Sequence, residues 1–286
     1  MRGRAGSGTY LLLPGLATYG VLFAAPMALL LAESFRVFTP GRVGVSGGSG
    51  LTLQNYAELL HVSFLQLFVE TVSISLAATA IGIAVAFPIA YQIAWKLSPR
   101  LKVAAMVGLT TFMFLSIIVK TYSLELSFGA VSPLRPVLNM IGISPNGRVY
   151  IQALVAAGLL QFIIPISTLT LVGTHQNINR HLVEAAQALG APTWRAHLAI
   201  TVPLAVPGIL SSSLLAFSFG VSAFVIPMIL GKGRVVFLSN LIYTRFSEIA
   251  NYPSGASISI VTGVVSIVIV YGMSRLIMAA RRGHRS

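Results

Sequence analysis

The sequence predicts an all-α polytopic membrane protein with six transmembrane helices, and three observations predict it. First, the chain of 286 residues is 56% hydrophobic and only 9% charged, with a mean hydropathy of +0.86, far above a soluble domain. Second, apolar runs near the roughly 20 residues that a bilayer demands recur along the whole length. Third, the cations gather in the connections between those runs, where lipid headgroups and topology account for a net charge of +13 without a nucleic-acid partner.

Taken in order, Met1 to Thr9 is a short Gly-rich basic stretch carrying Arg2 and Arg4. The run from Tyr10 to Ala32 is too long for a signal-peptide core and lacks a convincing cleavage site, so it reads as a retained first span. Glu33 to Gln66 is a polar connection whose Thr39 to Gly50 portion reads as flexible, with a short helix expected from near Thr52. Further spans are expected at about Thr71 to Trp95, Val103 to Val119, Val149 to Val172, Leu204 to Leu230 and Ala256 to Ala280. Pro14, Pro26, Pro88, Pro165, Pro207 and Pro227 fall inside spans and predict kinks. Small residues such as Ala78, Gly82 and Ala86, or Ser211, Ser212 and Ser213, allow close helix packing. Between Gly231 and Gly255, Val235, Leu238, Leu241, Ile242, Phe246 and Ile249 recur at helical spacing. That spacing predicts a helix at the outer membrane–water boundary.

The composition also excludes chemistry. There is no cysteine and no aspartate, so disulfides, thiolate metal sites and a cysteine nucleophile are ruled out. The five histidines show no paired metal-ligand spacing. No Gly-rich phosphate loop of the G-x-x-x-x-G-K-[ST] type occurs, so this chain is not itself an ATPase. No Ser, His and acid grouping suggests an enzyme.

Orientation follows from the basic residues. With a cytoplasmic N-terminus, 11 fall inside (Arg2, Arg4, Lys96, Arg100, Lys102, Arg180, Arg195, Arg275, Arg281, Arg282, Arg285) and 8 outside. The tight Lys96 to Lys102 turn and the C-terminal tail sharpen that bias, placing both termini and the loop around Glu184 in the cytoplasm.

The segment from Glu184 to Pro203 is the one long polar-flanked helical stretch between two apolar spans. Asn179 is a candidate N-cap, and Leu182, Val183, Ala186 and Leu189 recur at helical spacing until Gly190 supplies a residue able to take positive φ. Pro192 prevents simple continuation. Thr193 is expected to cap a second short segment through Trp194, His197 and Leu198, and Pro203 fits the first turn of the next apolar run. Glu184 suits the dipole of the first helical turn, while Ala185 and Ala186 let another surface approach.

This order (Glu184, Ala185, Ala186, three residues, Gly190, nine residues, Ile200, one residue, Val202 and Pro203) resembles the EAA loop of the membrane subunits of ABC importers, the binding-protein-dependent permeases. Val202 stands where the family usually has Leu, an apolar exchange. The resemblance implies the type I ABC importer permease fold, one permease domain over residues 1–286, and a cytoplasmic coupling loop at 174–203. Glu184, Ala185, Ala186, Leu189, Gly190 and Pro203 would couple to an ATP-binding subunit. The implied partners are a dimer of ATP-binding subunits, a second related permease and an external solute-binding protein, with the chain in the bacterial inner membrane. ATP and magnesium would reside on the partner subunit, with no cofactor in this chain.

The stretches Leu51 to Tyr56, Phe87 to Ala94 and Thr244 to Ser257 resemble the polyamine (spermidine/putrescine) branch of these permeases. A polyamine calls for acidic or π-rich groups on its path. The acids are Glu33, Glu58, Glu70, Glu125, Glu184 and Glu248, none at the middle of an expected span. Glu125, with Tyr122, is the candidate pathway contact, and it also reads as an interfacial loop charge. An opine, an amino-acid derivative or a phosphonate remains open as the solute. An autonomous secondary transporter or channel is the rival class; it would call for intramembrane ionisable residues or interrupted spans, which the sequence does not display.

Overall fold

The computed structural model describes residues 14–40 and 50–283. The expectations for residues 1–13 and for most of Thr39 to Gly50 lie outside the described residues. The regular structure among them is helical, joined by turns and irregular segments, with one antiparallel bridge between Arg36 and Leu51. The helices are α1 (Pro14–Ser34), α2 (Gln54–Glu58), α3 (Val62–Lys96), α4 (Pro99–Phe114), α5 (Ile117–Phe128) and α6 (Arg135–Met140). After them come α7 (Arg148–Gln176), α8 (His181–Ala188), α9 (Thr193–Ser222), α10 (Val225–Leu230), α11 (Leu238–Tyr243) and α12 (Tyr252–Gly283). Of these, α1, α3, α7, α9 and α12 are long and apolar enough to cross a bilayer. The pair α4 and α5 makes a sixth span if it is taken as one broken element.

That break divides the span expected at about Val103 to Val119. The two helices meet at 87°, because Leu115 (ψ 140°) and Ser116 (ψ 124°) are extended. Neither residue is a glycine or proline. The bend is held from Lys120, whose buried ammonium donates to the Phe112 carbonyl at 3.2 Å and lies 4.9 Å over the Phe112 ring. A cation there satisfies a carbonyl of the last turn of α4, where the helix dipole favours it. The expected span from Leu204 to Leu230 is likewise divided: α9 starts earlier, ends at Ser222, and Ala223 (ψ 122°) turns the chain into α10.

The chain forms two compact units, Met1–Leu65 with Leu241–Val264, and Gln66–Asn240 with Val265–Ser286. In the first, the short helix expected near Thr52 is α2, whose Gln54 N–H donates to Thr52 Oγ1 at 3.1 Å. Buried Asn55 donates to the carbonyls of Ser34 (2.9 Å) and Arg36 (2.8 Å), clamping α2 to the end of α1. Phe246 packs on Tyr252 and against Gly255, where a Cβ would collide with its ring.

The second unit holds the core. Ile74 and Ala78 of α3, Ile151, Val155, Leu159 and Ile163 of α7, Ala216 of α9, and Ile226 and Leu230 of α10 form one buried cluster. Small residues set the approach of these helices. A Cβ on Gly82 would strike Ile163, one on Gly158 would strike Ile226 and Leu230, and one on Gly208 would strike Thr174. The expected packing role of small residues is thus met at particular helix crossings. Val235, Phe237 and Leu238 are fully buried in this unit. The start of α11 is bonded down: Leu238 N–H donates to Thr71 Oγ1 (3.2 Å), Ser239 Oγ to the Ala223 carbonyl (2.6 Å) and Asn240 Nδ2 to the Phe224 carbonyl (3.0 Å).

Candidate functional site

The site is α8 and its two flanks. Asn179 does cap it: its Oδ1 accepts the His181 N–H at 3.0 Å, although the helix proper begins at His181. Its far end closes as a Schellman motif. The Gly190 N–H donates to the Gln187 carbonyl (2.9 Å) and the Ala191 N–H to the Ala186 carbonyl (3.1 Å), with Gly190 at φ +89° as its position requires. Glu184 lies in the first turn and meets two partners. Arg180 Nε is 3.2 Å from Oε1 and His181 Nδ1 is 3.0 Å from Oε2.

The flank after Pro192 differs from the expectation of a second isolated segment. Thr193 makes no side-chain cap; Pro192, at ψ 148°, precedes the helix instead. From Thr193, α9 runs unbroken through a π turn at His197–Thr201, closed by the Val202 N–H on the His197 carbonyl. A wider turn there accommodates Pro203, which lacks an N–H and would otherwise crowd the carbonyl four residues back. The result is a short prong on a stiff stem. Val183 is buried at its base, while Leu182, Leu189, Trp194 and Leu198 present apolar side chains outward, Leu189 at 90% exposure. Ala185 is exposed and Ala186 half-buried. Beside the prong lies a cavity of 480 Å³ lined by Thr174, Asn177, Asn179, Leu182, Leu204 and Pro207.

The pathway candidates are arranged differently from each other. Tyr122 is exposed, and no hydrogen bond joins it to Glu125 among the described residues. Glu125 is largely buried, its charge met by Lys232, while its Oε2 has no hydrogen-bond partner. Glu70, which the sequence left unassigned, is bound in a fork by Arg148 (2.9 and 3.3 Å) and by Gln152 Nε2 (2.6 Å). These two acids are therefore already paired with cations distant in the chain. Arg180 was also missed, though its spacing of four residues from Glu184 carries a detectable helix-pair signal.

Residues 78–282 match the family described as binding-protein-dependent transport system inner membrane component. The chain is similar to the spermidine/putrescine transport system permease protein PotB of Haemophilus influenzae, 25% identical over 223 residues, covering 77% of this chain and 78% of that one. It is also 25% identical over 285 residues to the inner membrane ABC transporter permease protein YdcU of Escherichia coli, covering 95% and 90%. Among solved structures, a chain of a bacterial ABC transporter involved in import of the acidic polysaccharide alginate superposes with a TM-score of 0.74, at 18% identity and covering 95% and 94%.

Proposed function

We infer the working of this chain from one premise: it belongs to the family of binding-protein-dependent transport system inner membrane components, and it is a permease subunit of an ABC importer. In the reading proposed here, α8 lies on the cytoplasmic side and docks into a cleft on an ATP-binding subunit. ATP draws two such docked prongs together, and the spans of this chain and a sister permease repack around a central path. An external solute-binding protein delivers the solute. The hydrolysis machinery, with its ATP and magnesium, sits on the partner.

The observation that carries this reading is the form of α8: a short helix capped at both ends, mounted between two long apolar helices, with Leu189 at its tip almost fully exposed. A helix so capped moves as a rigid body, and an apolar tip in water calls for a partner surface. The basic turn from Lys96 to Lys102 supports a cytoplasmic placement of this end, together with both termini.

For the solute we propose a small organic cation of the polyamine type, supported by the names of the curated relatives. The charge arrangement sets a condition on it. A polyamine reaching Glu125 must compete with Lys232 for the carboxylate, or find its negative partner on the sister permease. A phosphonate, whose defining group is an anion, would need no such exchange. The test is uptake by the purified complex in proteoliposomes with receptor and internal ATP. ATP-driven spermidine accumulation supports the reading; solute flux by this chain alone, without an ATP-binding subunit, overturns it in favour of a channel.

A further inference from the structure

The joint between prong and spans carries, beside Val183 buried at its base, a chain of polar and aromatic contacts. On one flank of α8 lies the 480 Å³ cavity. On the other flank, Arg180 forms two contacts at once: its Nε meets Glu184 Oε1 at 3.2 Å, and its Nη1 donates to the carbonyl of Trp95 at 3.2 Å. Trp95 belongs to the last turn of α3, whose carbonyls lack helical partners. Its indole N–H in turn donates to the carbonyl of His175 at 2.9 Å, in the last turn of α7.

The ring of Trp95 is fixed as well. Tyr91 lies one turn away at 5.2 Å between centroids and also meets the His197 ring of the π turn at 4.8 Å. Phe87 contacts the fully buried His175 ring at 4.8 Å. Phe87, Tyr91 and Trp95 recur every four residues and share one face of α3. One guanidinium therefore ties the charged residue of the prong to the inner end of α3, and one indole ties that end to α7.

We infer that Arg180 and Trp95 are positioning residues for energy coupling: through Glu184–Arg180–Trp95–His175, a displacement of α8 is delivered to α3 and α7 together. The inference deepens the importer reading and rests on it. Arginine fits the task because its fork engages two acceptors in fixed geometry, which the single ammonium of a lysine does not reproduce. Arg180 and Glu184 are both about half exposed (55% and 52% of the side chain), so their pairing contributes little to folding. Substitution is therefore expected to leave a folded, assembled subunit.

The experiment uses the full permease assembled with its ATP-binding subunits, and the natural absence of cysteine allows a clean spin-label pair at Leu189→Cys and Val69→Cys. Electron–electron distances are recorded without nucleotide and with ATP trapped by vanadate. With Arg180 and Trp95 intact, prong and α3 move as one body, and a single narrow distribution persists in both states. In Arg180→Ala and in Trp95→Phe, which keeps an aromatic side chain but removes the N–H, trapping is expected to split off a second population displaced by about 2 Å or more. Variant distributions matching the wild type in the trapped state overturn the inference while leaving the importer reading intact. Failure of the wild-type chain to assemble with any ATP-binding subunit removes that reading, and the inference with it.

Discussion

Replacing Gly190 isolates the backbone's part in the joint. The residue sits at φ +89°, and nothing lies within 4 Å of where a Cβ would stand, so the cost of substitution is conformational and not steric. A left-handed conformation costs an L-residue roughly 1–2 kcal/mol, and up to about 3 kcal/mol in sparsely populated regions, highest for β-branched side chains. Asparagine tolerates such φ best. Gly190→Asn should therefore remain close to wild type, Gly190→Ala should lose about 1 kcal/mol of local order, and Gly190→Val about 2–3 kcal/mol. The loss falls on two specific bonds, Gly190 N–H to the Gln187 carbonyl and Ala191 N–H to the Ala186 carbonyl, so the end of α8 frays. The assay is recovery of the ATP-binding subunit with tagged permease from detergent-solubilised membranes. Recovery is expected to fall in the order Asn, Ala, Val. Equal recovery of the Val and Asn variants refutes the role given to the left-handed stop.

Further outcomes follow from the same geometry. Glu184→Lys places a cation beside Arg180 and His181, so it should uncouple ATP hydrolysis from uptake in proteoliposomes; unchanged uptake per ATP counts against Glu184 as the anchor. Gly208→Ala puts a Cβ into Thr174 at the α7–α9 crossing and should lower thermal stability in detergent by about 1–3 kcal/mol. Adding Thr174→Ala should recover part of that loss. Lys232→Met leaves the Glu125 carboxylate largely buried without its cation, at a cost of about 1.5–3 kcal/mol that Glu125→Gln should offset in a double-mutant cycle. If a polyamine does reach that carboxylate, spermidine should stabilise Lys232→Met more than the wild type in thermal unfolding.

The prong was legible because its signals are local: a capping Asn179, a glycine directly after the last periodic apolar residue, and a proline two residues beyond it all act within a few residues. Apolar runs revealed the long helices for the same reason. The bend between α4 and α5 was not legible, since Leu115 and Ser116 carry no turn signature and the contact that holds it is Lys120 folding back over Phe112. Nor was the passage of helix through Pro203, because proline next to a π turn looks the same in sequence as proline starting a new helix. The pairings of Glu70 with Arg148 and Glu125 with Lys232 join residues 78 and 107 apart (148 − 70 and 232 − 125). No periodicity encodes them, so Glu125, the acid that reads as the candidate solute contact, proved to be engaged.

The most direct measurement is site-specific cross-linking from the tip of α8. With Leu189→Cys as the sole thiol of this chain, a maleimide–benzophenone reagent attached there and photolysed in native membranes should join the permease to its ATP-binding subunit, and a membrane-impermeant thiol reagent added to intact cells should leave the position unlabelled. Labelling of that cysteine from outside the cell, with no adduct to an ATP-binding subunit, would contradict the coupling role at its root.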